Sequence, residues 1–593
     1  MAKDKRASEI MSKFNSAKRK REHKDARWRE LDAFDRGEQW DLAGKSNDKL
    51  PPWIPKPVTN FVHLVKTTKR AALAIENPTG KIYPQSPSDI ETSDLLQKVY
   101  EFEWERMKLR KYIRSSIGTG KLLGTAILQL YYDESDGVLG PSDKLYEGRI
   151  KALEIDPASF YPDPNAFSLE ECEFVHVVKR KSLAWIKKHP KFKSKAGEVE
   201  AVIKASEEKG EIYLRDYDSE MQEKVVDLHE HYEKIAQDGG GFKYKVTYVA
   251  SGVVLHENDL KPNRYPFSIY YDFEQRQDFW GISTCEYVID NQKIVNKVES
   301  IIALIGTLLQ NPQKVISRES GINPKEATKF GDVPGHTYVS NGEPSRAIHW
   351  MTPPQIPMPL FNLAEQAKQN IREITGLTES YMGQSVGSLQ TSSGVDSLIE
   401  RSTMRDRDQM YDLELFIEDL SNLLIQFIAE YYTDEQYYRE IDESTGEATF
   451  QTFVGSDFRD LAFDVKVNVS SKAPITRARQ QQEMEKLITL QGQMQYDPPL
   501  VTPQEYMKFS SFADSEKLIK RMNMDEFQST AAIVEEVVQM VGEATQSGMP
   551  VEEVGQMALE MAQQKIANKQ SNVGSTSENA GQLQARQGAA PTV

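Results

Sequence analysis

GISTCEYVIDNQKIVNKVESIIALIGTLLQNP, residues 281–312, reads as a single amphipathic helix. Val288, Val295, Val298, Ile302, Ile305 and Leu309 recur at spacings of seven, three, four, three and four, which sets them on one stripe. Asp290, Lys293, Lys297 and Glu299 fall on the other face, and Asn311-Pro312 stops the helix. From Lys314 to Pro359 the pattern breaks into glycine, proline and short β candidates. A second stripe then returns, with Leu360, Ala364, Ala367, Ile371 and Ile374, and Gly376 as its C-cap. Helix, compact β insert, helix: the chain leaves a body and comes back to it.

Upstream, residues 7–35 read as a polar helix ending near Gly37, followed by a loop too proline-dense for regular structure, Pro51 to Pro57. A helix from Asn60 to Glu76 is stopped by Asn77-Pro78, and helical signal resumes from Asp94 to about Leu123. The period then changes to two. Short β segments follow at 126–132, 150–155, 174–179, 225–232, 243–249 and 253–256, with a charged helical insert near Ser182 to Lys209.

Downstream, Thr375 to Gly394 is a loop rich in glycine, serine and glutamine. A long helix to Tyr432 follows, striped by Leu413, Ile417, Leu420, Leu424, Phe427 and Tyr431, and residues 435–471 are β-like. From Thr476 glutamine, methionine and glutamate recur at helical spacing, and beyond Gln570 almost nothing apolar remains, so a disordered tail is expected. The fold class is α+β, predominantly helical.

At 593 residues the chain exceeds what one hydrophobic core supports, so more than one domain is expected. Its two cysteines, Cys172 and Cys285, lie far apart and have no CxxC spacing, which disfavours a disulfide framework or a zinc site. No apolar run approaches the roughly 20 residues that cross a bilayer. The opening MAKDKRASEIMSKF has no apolar signal region, so synthesis in the cytoplasm is expected. A net charge of −16 argues against a protein that coats duplex DNA. The basic run Lys18-Arg19-Lys20-Arg21 is interleaved with Glu22 and Asp25 and reads as a solvated helix face.

Catalytic motifs fail on inspection. Gly118-Thr119-Gly120-Lys121 resembles a phosphate loop, but the positions that need glycine and a hydroxyl hold Ser115 and Leu122, and a helix precedes it instead of a strand. His229-Glu230-His231 puts two histidines on one face of a strand without a visible third ligand, and a solvated strand face is the default. The acidic run Asp163 to Glu173 lacks the spacing and glycine of a calcium loop. No enzyme, metal or cofactor is expected.

The order of these elements resembles the portal proteins of tailed bacteriophages, nearest to the large portals of short-tailed phages, over roughly residues 25–475. The most specific part is Gly281-Ile282-Ser283 followed by Asp290, Gln292, Asn296 and Ser300. Supporting it are Phe34 to Trp40, Asn60 with Asn77-Pro78, Asp156-Pro157 with Asp163-Pro164, Ile374-Thr375-Gly376, Met382-Gly383 and Ser393-Gly394. Another structural head–tail connector or tail protein is the alternative, though such adaptors are usually much shorter.

The resemblance implies a ring of twelve copies at one capsid vertex of the virion, conducting double-stranded DNA in packaging and ejection. Residues 1–283 and 395–475 would form a wing, 284–311 and 359–375 the two stem helices, and 312–358 the clip. Residues 376–394 would be a tunnel loop and 476–569 a helical crown or barrel, followed by the tail at 570–593. The implied partners are DNA, the large terminase subunit, a head–tail adaptor, and the major capsid and scaffolding proteins; no membrane is involved. DNA-facing candidates are Lys293 and Lys297 on the stem with Gln384, Ser388 and Gln390 in the loop. Candidates for binding partners at the clip are Lys314, Arg318, Lys325, Arg346 and Trp350.

Overall fold

The computed structural model describes residues 5–40, 51–74 (without 52), 79–136 (without 135), 148–199, 225–377 (without 238, 311, 331–332, 334 and 352–356), 392–441, 448–467 (without 460–462) and 486–488. Contacts divide the chain into one unit of Met1–Glu440 with Phe450–Ala473 and another of Ile441–Thr449 with Pro474–Val593. Of the second unit, helical residues 486–488 and the strand residues 441, 448 and 449 are described. Everything below concerns the first unit, which mixes helix and sheet with helix in excess.

Helix α1 (Lys5–Asp35) buries Ala7, Ile10, Phe14, Ala17, Arg21, Trp28, Leu31 and Phe34, a stripe of threes and fours threaded through a polar sequence. Arg19 and Lys20 are exposed, as a solvated face requires, but Arg21 departs from that reading. It is 2% exposed, donates to the carbonyls of Pro157, Ala158 and Phe160, and stacks on the Tyr161 ring at 3.7 Å. A guanidinium with enough carbonyl acceptors can be buried where a lysine would be stranded.

Helix α2 (Phe61–Leu73) starts at Asn60. The Asn60 side chain accepts from His63 N and donates to the Phe34 and Asp35 carbonyls, so one residue caps the start of α2 and the end of α1. Strand β1 (Gly80–Pro84) leads to α3 (Ile90–Arg106) and α4 (Leu109–Leu123). The single helix expected from Asp94 to Leu123 is therefore two. Lys108 takes a left-handed φ of 55°, which breaks the axis so that Trp104 on α3 and Ile113 on α4 reach one core.

Strands β2 (Thr125–Asp133) and β3 (Arg149–Ile155) pair antiparallel. After them come β4 (Phe160–Pro162), β5 (Phe174–Ser182), α5 (Leu183–Lys188), β6 (Val225–Ala236), β7 (Phe242–Ala250), β8 (Val253–Asp259) and β9 (Phe267–Tyr271). The sheets run β3-β2-β9 and β4-β5-β6-β7-β8, both antiparallel. Within the charged insert expected at 182–209, the described residues hold α5 and a 3-10 turn at Ala196–Glu198.

Helix α6 (Ile289–Gln310) leads to β10 (Lys314–Ile316), α7 (Pro324–Phe330) and β11 (Ile348–Trp350), and α8 (Met358–Thr375) returns. Helix α9 (Ser392–Tyr431) precedes β12 (Gln436–Ile441), β13 (Ala448–Phe453) and β14 (Phe463–Val467). Leu413, Ile417, Leu420, Leu424 and Phe427 of α9 share a core with α3, α4 and β2. β14 pairs with β1, Gly80 opposite Val467, joining distant parts of the chain.

The phosphate-loop look-alike lies inside α4 and is structural. Lys121 and Asp272 are both fully buried and ion-paired, and Asp272 also accepts from the Thr284 amide and hydroxyl. Gly120 is glycine because a Cβ there would sit 2.6 Å from the Tyr270 ring. Lys121→Met strands the buried Asp272 carboxylate. It should destabilise the fold by about 3–5 kcal/mol, read as a lowered Tm, with no change in nucleotide binding.

Candidate functional site

The helix–excursion–helix unit is the candidate site, and its root is held by backbone contact. A Cβ on Gly281 would lie 2.5 Å from the Gly124 carbonyl oxygen, so only glycine lets the two chains touch. Ser283 Oγ then accepts from Glu286 N at 2.9 Å, and Thr284 is tied to Asp272. Helix was expected from 284. The regular α-helix starts at Ile289, because these side chains hold residues 281–285 and a 3-10 turn covers Glu286–Val288.

Above the root, α6 carries a second, polar ladder, Gln292, Asn296 and Ser300, at intervals of four. Gln292 Oε1 accepts from Phe61 N at 2.9 Å, and its Nε2 donates to Thr59 O and to Asn296 Oδ1, both at 2.8 Å. Asn296 Nδ2 donates to Gln39 Oε1, whose Nε2 donates to Phe34 O at 3.0 Å. Ser300 Oγ donates to Pro55 O at 2.6 Å, and Trp40 Nε1 to Pro57 O at 3.0 Å. The prolines of this loop have no N–H to offer, so apart from the Ile54 N to Pro51 O turn the loop's carbonyls at 55, 57 and 59 are paired by α6 and Trp40.

Helices α6 and α8 pack through Val298, Ile305, Ala364, Ala367 and Ile371, all buried. The apolar stripes weaken at both ends: Ile302 and Leu360 are half-buried, Leu309 is 55% exposed and Ile374 44%. Glu299 links three segments, accepting from Thr59 of the loop and pairing with Lys368 of α8.

At the far end, β10 and β11 pair with Lys314 opposite Trp350, and the Lys314 ammonium lies 4.7 Å from the Trp350 ring. Ile322, Ala327 and Ala347 form a small core of their own with Ile316, Tyr338 and Ile348 around it. Arg318 and Lys325 are exposed, and Arg346 is exposed beside Glu343 at 3.3 Å. All five clip candidates therefore lie on one small module.

The stem candidates separate. Lys293 binds Glu30 of α1 at 2.6 Å and approaches Asp290 at 3.4 Å, so its charge is used within the chain. Lys297 is exposed and has no ion pair among the described residues. Gln384, Ser388 and Gln390 lie outside the described residues.

His229-Glu230-His231 is a correction. The histidine face of the strand is buried beneath α1, with His229 8% and His231 0% exposed, while Glu230, 6% exposed, is buried on the opposite face with Lys179 and Tyr232. His176 of β5 lies opposite His231, with ring centroids 4.4 Å apart, and Phe14 of α1 packs on His229 at 4.7 Å. Among the described residues no group of three histidine, cysteine or acidic side chains is placed to hold a metal.

A family model described as phage SU10 portal protein matches residues 142–570, well over half of the chain. That match continues to residue 570, past residue 475 where the sequence resemblance ends. No curated protein matches the chain.

Gln292→Ala removes three hydrogen bonds, one of them to the buried Asn296 amide, and leaves a buried gap on α6. A loss of about 2–4 kcal/mol is expected, read as a lowered Tm, while Asp290→Ala on the exposed face leaves Tm unchanged. Burial, then the charges of His231, His229 and Lys13, hold His176 well below its ordinary value of 6.5, and burial also lowers His231. A depressed histidine contributes stability above 6.5 that is lost as pH falls, with the Arg6–Glu233 pair beside the cluster still charged. Protection factors for hydrogen exchange in residues 5–20, taken against the intrinsic rate at each pH, should fall between pH 7.5 and pH 5, and His176→Leu should blunt that response.

Proposed function

Because the chain belongs to the phage SU10 portal protein family, we propose that it closes into a ring of twelve copies at one capsid vertex and passively conducts double-stranded DNA. The observation that carries this reading is the helical hairpin, anchored at its root by buried polar contacts and ending in a separately packed module. In this reading residues 284–311 and 359–375 are the stem, 312–358 the clip and 376–394 the tunnel loop. Residues 1–283 and 395–475 form the wing, and 476–569 the crown.

A conduit must touch DNA without holding it. Every phosphate-neutralising cation adds salt-dependent affinity, multiplied by the number of copies. At −16 per chain a ring of twelve carries roughly −192, which favours sliding over binding. Lys293, held by Glu30, adds little to the lumen, which leaves Lys297 as the cation of α6 for DNA. The clip candidates Lys314, Arg318, Lys325, Arg346 and Trp350 offer cations and an aromatic ring to the large terminase subunit and the head–tail adaptor. The wing meets the capsid and scaffolding proteins.

Native mass spectrometry and imaging of the purified protein should show a closed ring with a central hole, roughly 810 kDa for twelve chains of 67.5 kDa. ATP hydrolysis by the isolated ring would contradict a passive conduit. Lys297→Ala should change the amount of DNA packaged more than Lys293→Ala does; equal, unchanged packaging removes both residues from the channel reading.

A further inference from the structure

We propose that a basic cleft between α3 and α4 is a socket for the adjacent copy of this chain, which fills it with the acidic face of its α9 carrying Tyr411 and Leu415. The proposal rests on the ring reading above and names one of its contacts.

The cleft holds about 490 Å³, with Trp104, Ile113 and Ile117 among its lining and four cations, Lys108, Arg110, Lys111 and Arg114, around it against one carboxylate, Glu105. Those four cations are exposed, and none is ion-paired among the described residues. Neighbouring Arg106, by contrast, is bound by Glu103 and Tyr432. Trp104 is 1% exposed, yet its indole Nε1 has no acceptor. An unpaired buried donor under a ring of free cations suits a partner that brings oxygen acceptors, negative charge and apolar bulk together.

Helix α9 offers that chemistry. Tyr411 and Leu415, one turn apart, are 58% and 47% exposed. Asp408 and Asp412 flank them and have no ion pair among the described residues. Burial first, then the charges of Asp408 and Glu274, pushes the Asp412 carboxyl up to about 6, against the opposing pull of the buried Lys121. One chain thus carries a cleft with four cations to one carboxylate and, on α9, a ridge with two acids that have no ion pair among the described residues. Two different, complementary faces are what head-to-tail closure into a ring requires.

Charge reversal tests this, because a single exposed pair contributes little while opposed like charges repel strongly. Arg110→Glu/Arg114→Glu and Asp408→Arg/Asp412→Arg should each raise the concentration for half-maximal ring assembly by about ten-fold or more. Combining all four changes in one chain should restore it. Lys111→Cys with Leu415→Cys gives a second reading independent of altered charge. Cys172 and Cys285 are both buried, so mild oxidation should yield only intermolecular ladders through the new pair. Reversal variants that assemble like the unaltered chain, or a Cys pair that gives no ladder, overturn the socket while leaving the ring intact. Loss of duplex-DNA retention with unchanged assembly makes the cleft a DNA surface and also overturns it. An unaltered chain that neither assembles nor cross-links removes the ring reading itself.

Discussion

Gln292 lies fully buried on α6, and a primary amide away from water must find its hydrogen bonds inside the protein. It does so by joining the start of α2, the end of the proline-dense loop and Asn296, which passes the connection to Gln39 beside the end of α1. Loop 51–60 contains too many prolines to form a ladder of its own, and α6 contributes no apolar residue at these positions. Each solves the other's problem. The long helix is thereby clamped to the N-terminal helices by directional bonds instead of by greasy packing alone, which sets its angle as well as its contact.

The Lys121–Asp272–Thr284 cluster does the same one step lower. It ties α4, the segment after β9 and the approach to α6 around one buried carboxylate. Between the two anchors Gly281 lies against Gly124 with no room for a side chain. The hairpin therefore leaves a stiff root. Its far end is thinly packed, with exposed Leu309 and Met358 and a module held by a handful of apolar residues. Such a division suits a part that must be aimed accurately while meeting partners at its tip.

Much was legible beforehand because periodicity survives in one dimension. The stripes of α6, α8 and α9 and the strands β2, β3, β5, β6, β7 and β8 stand close to where spacing places them. The break at Lys108 was not legible, since nothing in MKLRKY distinguishes a helix interior from a left-handed turn. The polar ladder on α6 was visible only as letters. Gln292, Asn296 and Ser300 at intervals of four are a signal, but a solvated face gives the same spacing.

Composition and pattern by themselves determined the α+β class, the helix–insert–helix excursion and the absence of a recognisable catalytic motif, because these depend on neighbours within a few turns. The tertiary structure alone decided which polar residues are buried and what they hold. Arg21, Lys121, His176 and Gln292 look like surface residues in sequence, and each lies within the fold. It also decided that Lys293 answers Glu30 while Lys297 has no ion pair among the described residues. The physical reason is the same throughout: a charge or an amide is defined by its partner. The partners here lie from tens to hundreds of residues away, where no local pattern reaches.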